Sequence, residues 1–281
     1  MENSKLYLGY AGFCYSKENH AIANGRKQNI VFNALWGLIE HPKEGYILFD
    51  TGYTARFYSA TSHYPNKIYA QITQVHVSPE QEVKAQLEAS GILPDSINHI
   101  FISHFHADHV GGLKDFPNAI FHASSIAVNQ LNRVSRILGF TKGILKDLIP
   151  DDFMKRLSLI DEKLKVQLPD LGMAYDLFGD GHLFAVSLPG HAAGQMGLLL
   201  STNKQTYFLV ADTCWLKESY IKGSLPSSIV RLFFDSWSDF RTSLKKVIHY
   251  HKNQPSTLII PTHCAETTDP LIRSRIDLDV L

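Results

Sequence analysis

A short histidine-rich segment constrains this chain more than any other part of its sequence. Residues 103–112 read Ser-His-Phe-His-Ala-Asp-His-Val-Gly-Gly and directly follow an apolar run that predicts a buried strand. His104, His106, Asp108 and His109 therefore present three imidazoles and one carboxylate on the loop after that strand. Zinc takes imidazole and carboxylate ligands in proteins, so the segment predicts a metal site at a strand end.

Three more residues of metal-binding type stand just after apolar runs in the last third of the chain. Each alone is equally typical of an ordinary polar residue after a strand. Three strands that all finish in a possible ligand favour one common site, and two metal ions would need these additional ligands. The runs and their final residues are Val186–Leu188 with His191, Tyr207–Val210 with Asp212, and Thr257–Ile260 with His263.

The first hundred residues predict a β-rich region with one helix. Leu6–Tyr15, Ile30–Glu40 and Tyr46–Asp50 are predicted strands, because they are short runs rich in β-branched and aromatic residues. Residues 53–78 show no period and predict a long loop, of the kind that usually serves an active site. Pro79–Ser90 predicts a helix that begins with proline and carries glutamates in its first turn.

Residues from about 124 to 172 predict a mostly helical insertion, either a solvated one or a lid over the active site. After it the chain returns to strands, with a helix predicted from about Trp237 to His251. No repeat or low-complexity linker is visible, so residues 1–281 predict a single domain with insertions at about 53–78 and about 124–172. The predicted late strands are Phe184–Leu188, Gly197–Ser201, Tyr207–Val210 and Thr257–Ile260.

Composition excludes several classes of protein. Apolar residues make up 44% of the chain and charged residues 19%, which is typical of a folded globular protein. Lys+Arg and Asp+Glu both number 27, so the formal net charge of +0 predicts neither a nucleic-acid partner nor membrane binding. Three widely spaced cysteines favour a reducing, cytoplasmic location. An apolar stretch before Ala21-Ile22-Ala23 faintly resembles a secretory signal, so secretion stays an alternative.

The spaced set of these motifs resembles the metallo-β-lactamase superfamily. The resemblance runs from about residue 30 to 264 and includes the triplet Asp50-Thr51-Gly52. It implies an α/β fold, an αβ/βα four-layer sandwich with the site along one edge of two sheets. It also implies the role of each residue: His104, His106 and His191 for a first metal, Asp108, His109 and His263 for a second, Asp212 as a bridge, and Asp50 as a support for the loop.

Two metal ions held in this way imply a hydrolase. Divalent ions about 3.5–4 Å apart can share a water molecule and lower its pKa, which gives a bridging hydroxide that attacks the substrate. The catalytic residues would be Asp212 and Asp108, and Asp108 could also deliver a proton to the leaving group. Zinc is the expected metal, and iron, manganese or cobalt would fit the same ligands.

Within the superfamily, the chain is most similar to the N-acyl homoserine lactonases, which open a lactone ring in quorum quenching. The similarity lies in residues 38–42 and 48–52, and in the helix from Pro79 that leads into residues 102–104. Members of this branch often carry a tyrosine three residues after the bridging aspartate, and it hydrogen-bonds the lactone carbonyl. This chain has Trp215 there, either as a substrate contact or as an ordinary packing residue, so a different lactone or ester is open.

Other functions remain open. An esterase or thioesterase, such as a hydroxyacylglutathione-hydrolase-like enzyme, would use the same ligands, although only about 18 residues follow His263 where such enzymes have a helical domain. A ligand sensor is the non-catalytic alternative. The expected partner is a small-molecule substrate, and a homodimer stays open. The residues that would line either an acyl-chain pocket or a dimer interface are Phe57, Tyr58, Tyr64, Tyr69, Leu138 and Phe140.

Overall fold

The apolar runs of the sequence form two β-sheets in a computed structural model that describes residues 4–137 and 139–273. Leu138 lies outside the described residues. The strands are β1 Lys5–Lys17, β2 Asn29–His41, β3 Gly45–Phe49, β4 Val75–His76, β5 Ile97–Phe101, β6 Ile120–Ala123, β7 Leu157–Leu159, β8 Leu164–Leu168, β9 Gly172–Asp176, β10 Leu183–Ser187, β11 Met196–Ser201, β12 Thr206–Ala211 and β13 Leu258–Pro261. Sheet order is β4-β1-β2-β3-β5-β6-β7 in the first sheet and β13-β12-β11-β10-β9-β8 in the second.

Helices surround the two sheets, most of them on the outer faces. They are α1 Glu18–Ala21, α2 Arg56–Ala60, α3 Lys67–Ile72, α4 Val83–Ala89, α5 Ala107–Val110, α6 Ser125–Arg133, α7 Lys217–Lys222, α8 Trp237–Asn253 and α9 Ala265–Arg273. By contrast, α9 packs beside both β1 and β13. In α8, Phe240, Leu244 and Val247 are spaced so that they share one face, and that face packs on the second sheet.

Alternation along the strands places one core between the sheets and another under the helices. Phe49 and Phe101 point between the two sheets, whereas their neighbours Leu48 and Ile100 point towards α4 and α6. Both faces of these strands are apolar because they pair in parallel and are covered on both sides. The predicted αβ/βα four-layer sandwich is therefore confirmed.

Strand direction brings the predicted site residues to one edge. β3 and β5 are parallel in the first sheet, β12 and β13 are parallel in the second, and β10 runs with β12 because both are antiparallel to β11. The carboxyl ends of these five strands lead directly into Asp50, His104, His191, Asp212 and His263.

The two insertions differ from their predicted structure. Residues 53–78 are not one long loop, because they contain α2, α3 and β4; helices of five or six residues are too short to show a period. Among the described residues of 124–172, α6 near the start is the one α-helix. The rest consists of short 3-10 turns with β7 and β8, which take edge positions in the two sheets. Sheet pairing overrides local propensity there.

The helix predicted at Pro79–Ser90 is divided in two. A 3-10 turn covers Pro79–Gln81, with a capping box between Ser78 and Gln81, and α4 begins only at Val83. The break falls at Glu82, whose backbone is extended and whose carboxylate accepts a hydrogen bond from the Ala55 N–H at 2.8 Å. Within the described ranges, no helix has the length and apolar content to cross a bilayer.

Candidate metal centre

Seven residues that the sequence singled out as metal ligands meet at the sheet edge in two groups. His104, His106 and His191 form one group, and ligand atoms of all three lie within 4.8 Å of one another. The second group satisfies the same limit and contains Asp108, His109, Asp212 and His263. Every member is at least half-buried, so the two groups form a compact interior cluster.

The carboxylate of Asp212 joins the two groups. Its Oδ2 lies 3.2 Å from the His191 Nε2 of the first group and 3.2 Å from the His263 Nε2 of the second. Its Oδ1 lies 3.5 Å from the Nε2 of His109. Both oxygens are therefore directed at imidazole nitrogens, as a bridging ligand requires.

Hydrogen bonds on the far side of the rings select the tautomer of the second group. The Nδ1 of His109 donates to the Asp50 Oδ2 at 2.6 Å, and the Nδ1 of His263 donates to the Asn33 carbonyl at 2.8 Å. With Nδ1 engaged in this way, Nε2 is the nitrogen that points into the cluster, and it can bind a metal once it has given up its proton. Asp50 is fully buried, and its oxygens also accept from the backbone N–H and the hydroxyl of Ser103.

Burial sets the charge state of the first group. It lowers the pKa of His104 well below its usual value, and the nearby His109 and His106 add to this effect. It also lowers the pKa of His106, and that of His191 to about 3. All three imidazoles are therefore neutral near pH 7, which is the form that binds a metal.

The second group holds paired charges. Burial alone would raise the pKa of Asp108, but His109 and His263 outweigh burial and lower it to about 2. Burial would lower the pKa of His109. The carboxylates of Asp108 and Asp50 outweigh burial and hold that pKa well above its usual value. The carboxylates of this group are therefore ionised and His109 is protonated at neutral pH, so a metal ion that binds His109 would displace its Nε2 proton.

Several buried atoms at the centre fit bound cations. His104 Nε2, His109 Nε2 and Asp212 Oδ1 are buried and make no hydrogen bond within the part of the chain that the structure describes. A buried polar atom without a partner is costly, and a cation between the groups would satisfy all three. Imidazole and carboxylate donors suit zinc, so the residues fit two divalent metal ions.

Two of the three described non-glycine residues with a positive φ lie at strand ends of the site, and the third is Asp170, outside it. Asp50 has a φ of 55° and Ala211, just before Asp212, has a φ of 47°. A side chain in this left-handed region costs about 1–2 kcal/mol, and such strain clusters at functional sites. At a third strand end, Gly190 has a φ of 127° and lies so close to α8 that a Cβ would stand 2.0 Å from the Phe240 nitrogen. That close contact places His191 in the cluster.

A cavity of about 860 Å³ opens onto the cluster. Its floor contains ligands of both groups, whereas its walls are mostly apolar. Of the residues predicted to line a pocket, Tyr69 and Phe140 line this cavity. Phe57, Tyr58 and Tyr64 do not, because Phe57 is buried in the core and the two tyrosines are exposed elsewhere. The wall and rim also include Phe32, Ile72, Trp215, Ile229, Leu232 and Phe233.

Trp215 lines the cavity, and its polar atom contacts a ligand. The indole Nε1 donates to the Asp212 Oδ2 at 3.0 Å. The sequence did not identify Ser103, the Asn33 carbonyl or the apolar rim at Ile229–Phe233. A serine before the first ligand and an apolar run before α8 were the signals available, and neither has a diagnostic spacing.

A family model described as the metallo-beta-lactamase superfamily matches residues 30–250. The chain belongs to this superfamily. The predictions of the superfamily, its fold and a metal-dependent hydrolase are confirmed.

Among superfamily members, the N-acyl homoserine lactonase AttM of Azorhizobium caulinodans is 27% identical over 233 residues, which cover 80% of this chain and 82% of that protein. A gamma-lactamase of Gibberella moniliformis is 30% identical over 133 residues, 45% of this chain and 52% of that protein. A solved structure of an N-acyl homoserine lactone hydrolase, with N-hexanoyl-L-homoserine at its catalytic metal centre, has a TM-score of 0.74 and 20% identity, and covers 96% of this chain and 97% of that chain. This last similarity shows the fold.

Proposed function

We propose that this superfamily member is a lactonase that uses two divalent metal ions, most simply zinc, to open the ring of a lactone with an apolar side chain. The observation that carries the proposal is the joint placement of two complete ligand groups at the floor of a cavity with apolar walls. When bound, two divalent cations there polarise the substrate carbonyl and lower the pKa of water towards neutrality.

The residues of the chain supply position and proton transfer. His104, His106 and His191 would hold one ion, Asp108, His109 and His263 the other, and Asp212 would contact both. Asp108 lines the cavity beside the proposed metal sites, so its carboxylate is placed to pass the proton of the attacking water to the ring oxygen. Water adds to the carbonyl carbon, the bond from that carbon to the ring oxygen breaks, and a hydroxy acid forms.

The cavity supports a substrate with a substantial hydrocarbon part. About 860 Å³ is far more than a lactone ring fills, and the walls beyond the metal centre carry Phe32, Tyr69, Phe140 and Phe233. Apolar walls bind hydrocarbon because burial removes it from water, at about 0.8 kcal/mol per methylene group. The curated lactonase relative supports an N-acyl homoserine lactone as this substrate.

The class of substrate that is turned over distinguishes the lactonase from its alternatives. We expect the zinc-loaded protein to release one proton for each acyl homoserine lactone opened, because the product acid ionises at neutral pH. A γ-lactam, the ring type suggested by the gamma-lactamase relative, would release almost none, because its new amine takes up the proton. Thioesters would release a detectable thiol. Turnover of lactams or thioesters with no proton release from lactones would reject the proposal.

Matched variants test the site. Asp108→Asn should abolish turnover, whereas Asp95→Asn, the same change at an exposed carboxylate outside the cluster, should leave it unchanged. Treatment with a chelator should remove activity, and added zinc should restore it. Full activity after complete removal of metal would contradict the proposed chemistry.

A further inference from the structure

Trp215 donates a hydrogen bond to the Asp212 oxygen that approaches both ligand groups. Its indole nitrogen lies 3.0 Å from the Asp212 Oδ2, the oxygen that also approaches His191 and His263 at 3.2 Å each. Asp212 is 3% exposed, and its Oδ1 is directed at His109. Trp215 therefore contacts the carboxylate that joins the two ligand groups.

The indole ring is held in place by aromatic neighbours. Ring centroids of Phe32 and Phe234 lie 5.6 Å from that of Trp215, and the His191 ring lies at 5.7 Å. Phe234 also packs at 5.1 Å on His191, so the indole and a metal-ligating ring share a packing partner. Tryptophan has one polar hydrogen, and here the packing aims it at Asp212.

We propose that Trp215 is a positioning residue of the metal centre, which orients the Asp212 carboxylate between the two ligand groups. The inference rests on the proposed function, because it assumes that those groups hold metal ions. The indole hydrogen is engaged by Asp212 and is not free for a substrate carbonyl. Hydrogen bonds to ligating carboxylates fix their orientation, and their loss typically lowers metal affinity or activity by 10–100-fold.

A metal-binding measurement separates positioning from substrate contact. Trp215→Phe keeps an aromatic ring in the cluster but removes the donor together with part of the ring volume. We expect its affinity for the more weakly held zinc ion, measured in competition with a chromophoric chelator and without substrate, to fall by about 10–100-fold. A residue that contacts only the substrate would change KM or kcat and leave zinc affinity unchanged.

Trp237→Phe is the matched control. Trp237 packs on Phe234 at 5.4 Å, in the same aromatic cluster, and is not a member of either ligand group. Its zinc affinity should equal that of the unchanged protein. If Trp215→Phe binds zinc as tightly as the unchanged protein does, the inference is wrong and the proposed function stands. If the unchanged protein itself binds no zinc, both are wrong.

Nuclear magnetic resonance provides a test in the unchanged protein, should Trp215→Phe fold poorly. The chain has three tryptophans, so Trp36→Phe and Trp237→Phe identify the Trp215 indole signal by elimination. We expect the Trp215 indole hydrogen to exchange slowly with solvent and to shift when zinc is added. Rapid exchange in the zinc-loaded protein would contradict the inference.

Discussion

At the scale of residues, the orientation of His109 depends on one partner, Asp50. Its Nδ1–H donates to the buried Asp50 at 2.6 Å, and this bond leaves Nε2 free to face Asp108 and Asp212. Asp50 in turn receives two hydrogen bonds from Ser103. The buried carboxylate is thus paired and satisfied, which is the condition under which a charge is tolerated in an interior.

Asp50→Asn should weaken metal binding without changing side-chain volume. An amide that still accepts from Ser103 turns its NH₂ towards His109, so the imidazole must accept there and carry its proton on Nε2 instead. A protonated Nε2 cannot bind a metal. We expect zinc affinity to fall by about 10–100-fold in a chelator competition titration.

Asp176→Asn is the control for the loss of a buried carboxylate as such. Asp176 is 5% exposed and accepts from the backbone N–H groups of Gly179 and Gly181, away from either ligand group. This variant should lose stability and keep its zinc affinity. If both variants weaken zinc binding equally, the role assigned to Asp50 is wrong.

At the scale of elements, the contact between the β10 end and α8 depends on one glycine. Gly190→Ala should lower the free energy of unfolding for two reasons, the strained backbone at φ 127° and the clash with the Phe240 nitrogen. We expect a loss of about 3 kcal/mol or more, measured by urea unfolding.

Gly179→Ala is the control that measures the cost of backbone strain without a clash. Gly179 also has a positive φ, 75°, but an added Cβ would meet nothing within 4 Å. Its loss should be about 1–2 kcal/mol. Equal losses in the two variants would show that the close approach of α8 contributes nothing.

Strands β5 and β6 carry a buried histidine pair away from the metal centre. His99 Nδ1 and His122 Nε2 are 3.0 Å apart, Glu44 lies 3.4 Å from His99, and Phe178 packs on both rings. Burial lowers the pKa of His122 to about 3, and the nearby His99 and Lys163 act in the same direction. The folded protein therefore holds His122 neutral.

This pair should make stability fall in acid. The unfolded chain takes up a proton on His122 below about pH 6.5, whereas the folded chain does not until about pH 3. The free energy of unfolding should therefore fall as pH decreases between those values, by up to about 1.4 kcal/mol per pH unit from this residue. Chemical unfolding of the metal-free protein at a series of pH values measures the slope.

His122→Leu should reduce that slope, whereas His249→Leu, a change at a side chain that is 60% exposed, should not. Other buried histidines contribute to the absolute slope, so the difference between each variant and the unchanged protein is the quantity compared. The same slope in His122→Leu would contradict the assignment.

At the scale of the whole molecule, the two sheets and both insertions converge on one cavity. Its apolar rim includes Leu232, which is 85% exposed, and Phe233, which is 57% exposed. Leu232→Ser should lower kcat/KM for a long-chain lactone by about tenfold and leave that for a short-chain one unchanged, because only the long chain buries this leucine. Initial rates of proton release measure both.

Leu93→Ser removes a leucine that is 66% exposed and outside the cavity lining, so it should leave both rates unchanged. If Leu232→Ser lowers kcat/KM equally for long-chain and short-chain lactones, the hydrocarbon chain binds elsewhere.

A cytoplasmic location, a single domain and a homodimer stay predictions.

The ligand chemistry of the centre is predictable from the amino-acid sequence because it depends on local order. His104, His106, Asp108 and His109 lie within six residues, and their spacing after a strand is visible in the chain itself. The regular strands and α8 were predictable for the same reason, since alternation and helical spacing are short-range patterns. By itself, the sequence therefore determined the ligand types, their placement at strand ends, α8, and the strands β1, β2, β3, β5 and β10–β13.

Only the tertiary structure decided which distant groups meet. Asn33 lies 230 positions from His263, and no local pattern marks a carbonyl that selects a tautomer. The strands β7 and β8 form because sheet edges recruit them, against the helical spacing of their own segment. Trp215 likewise contacts Asp212 because packing by Phe32 and Phe234 aims its one donor. Side-chain direction and long-range pairing arise from packing of the whole chain, and a linear sequence does not display them.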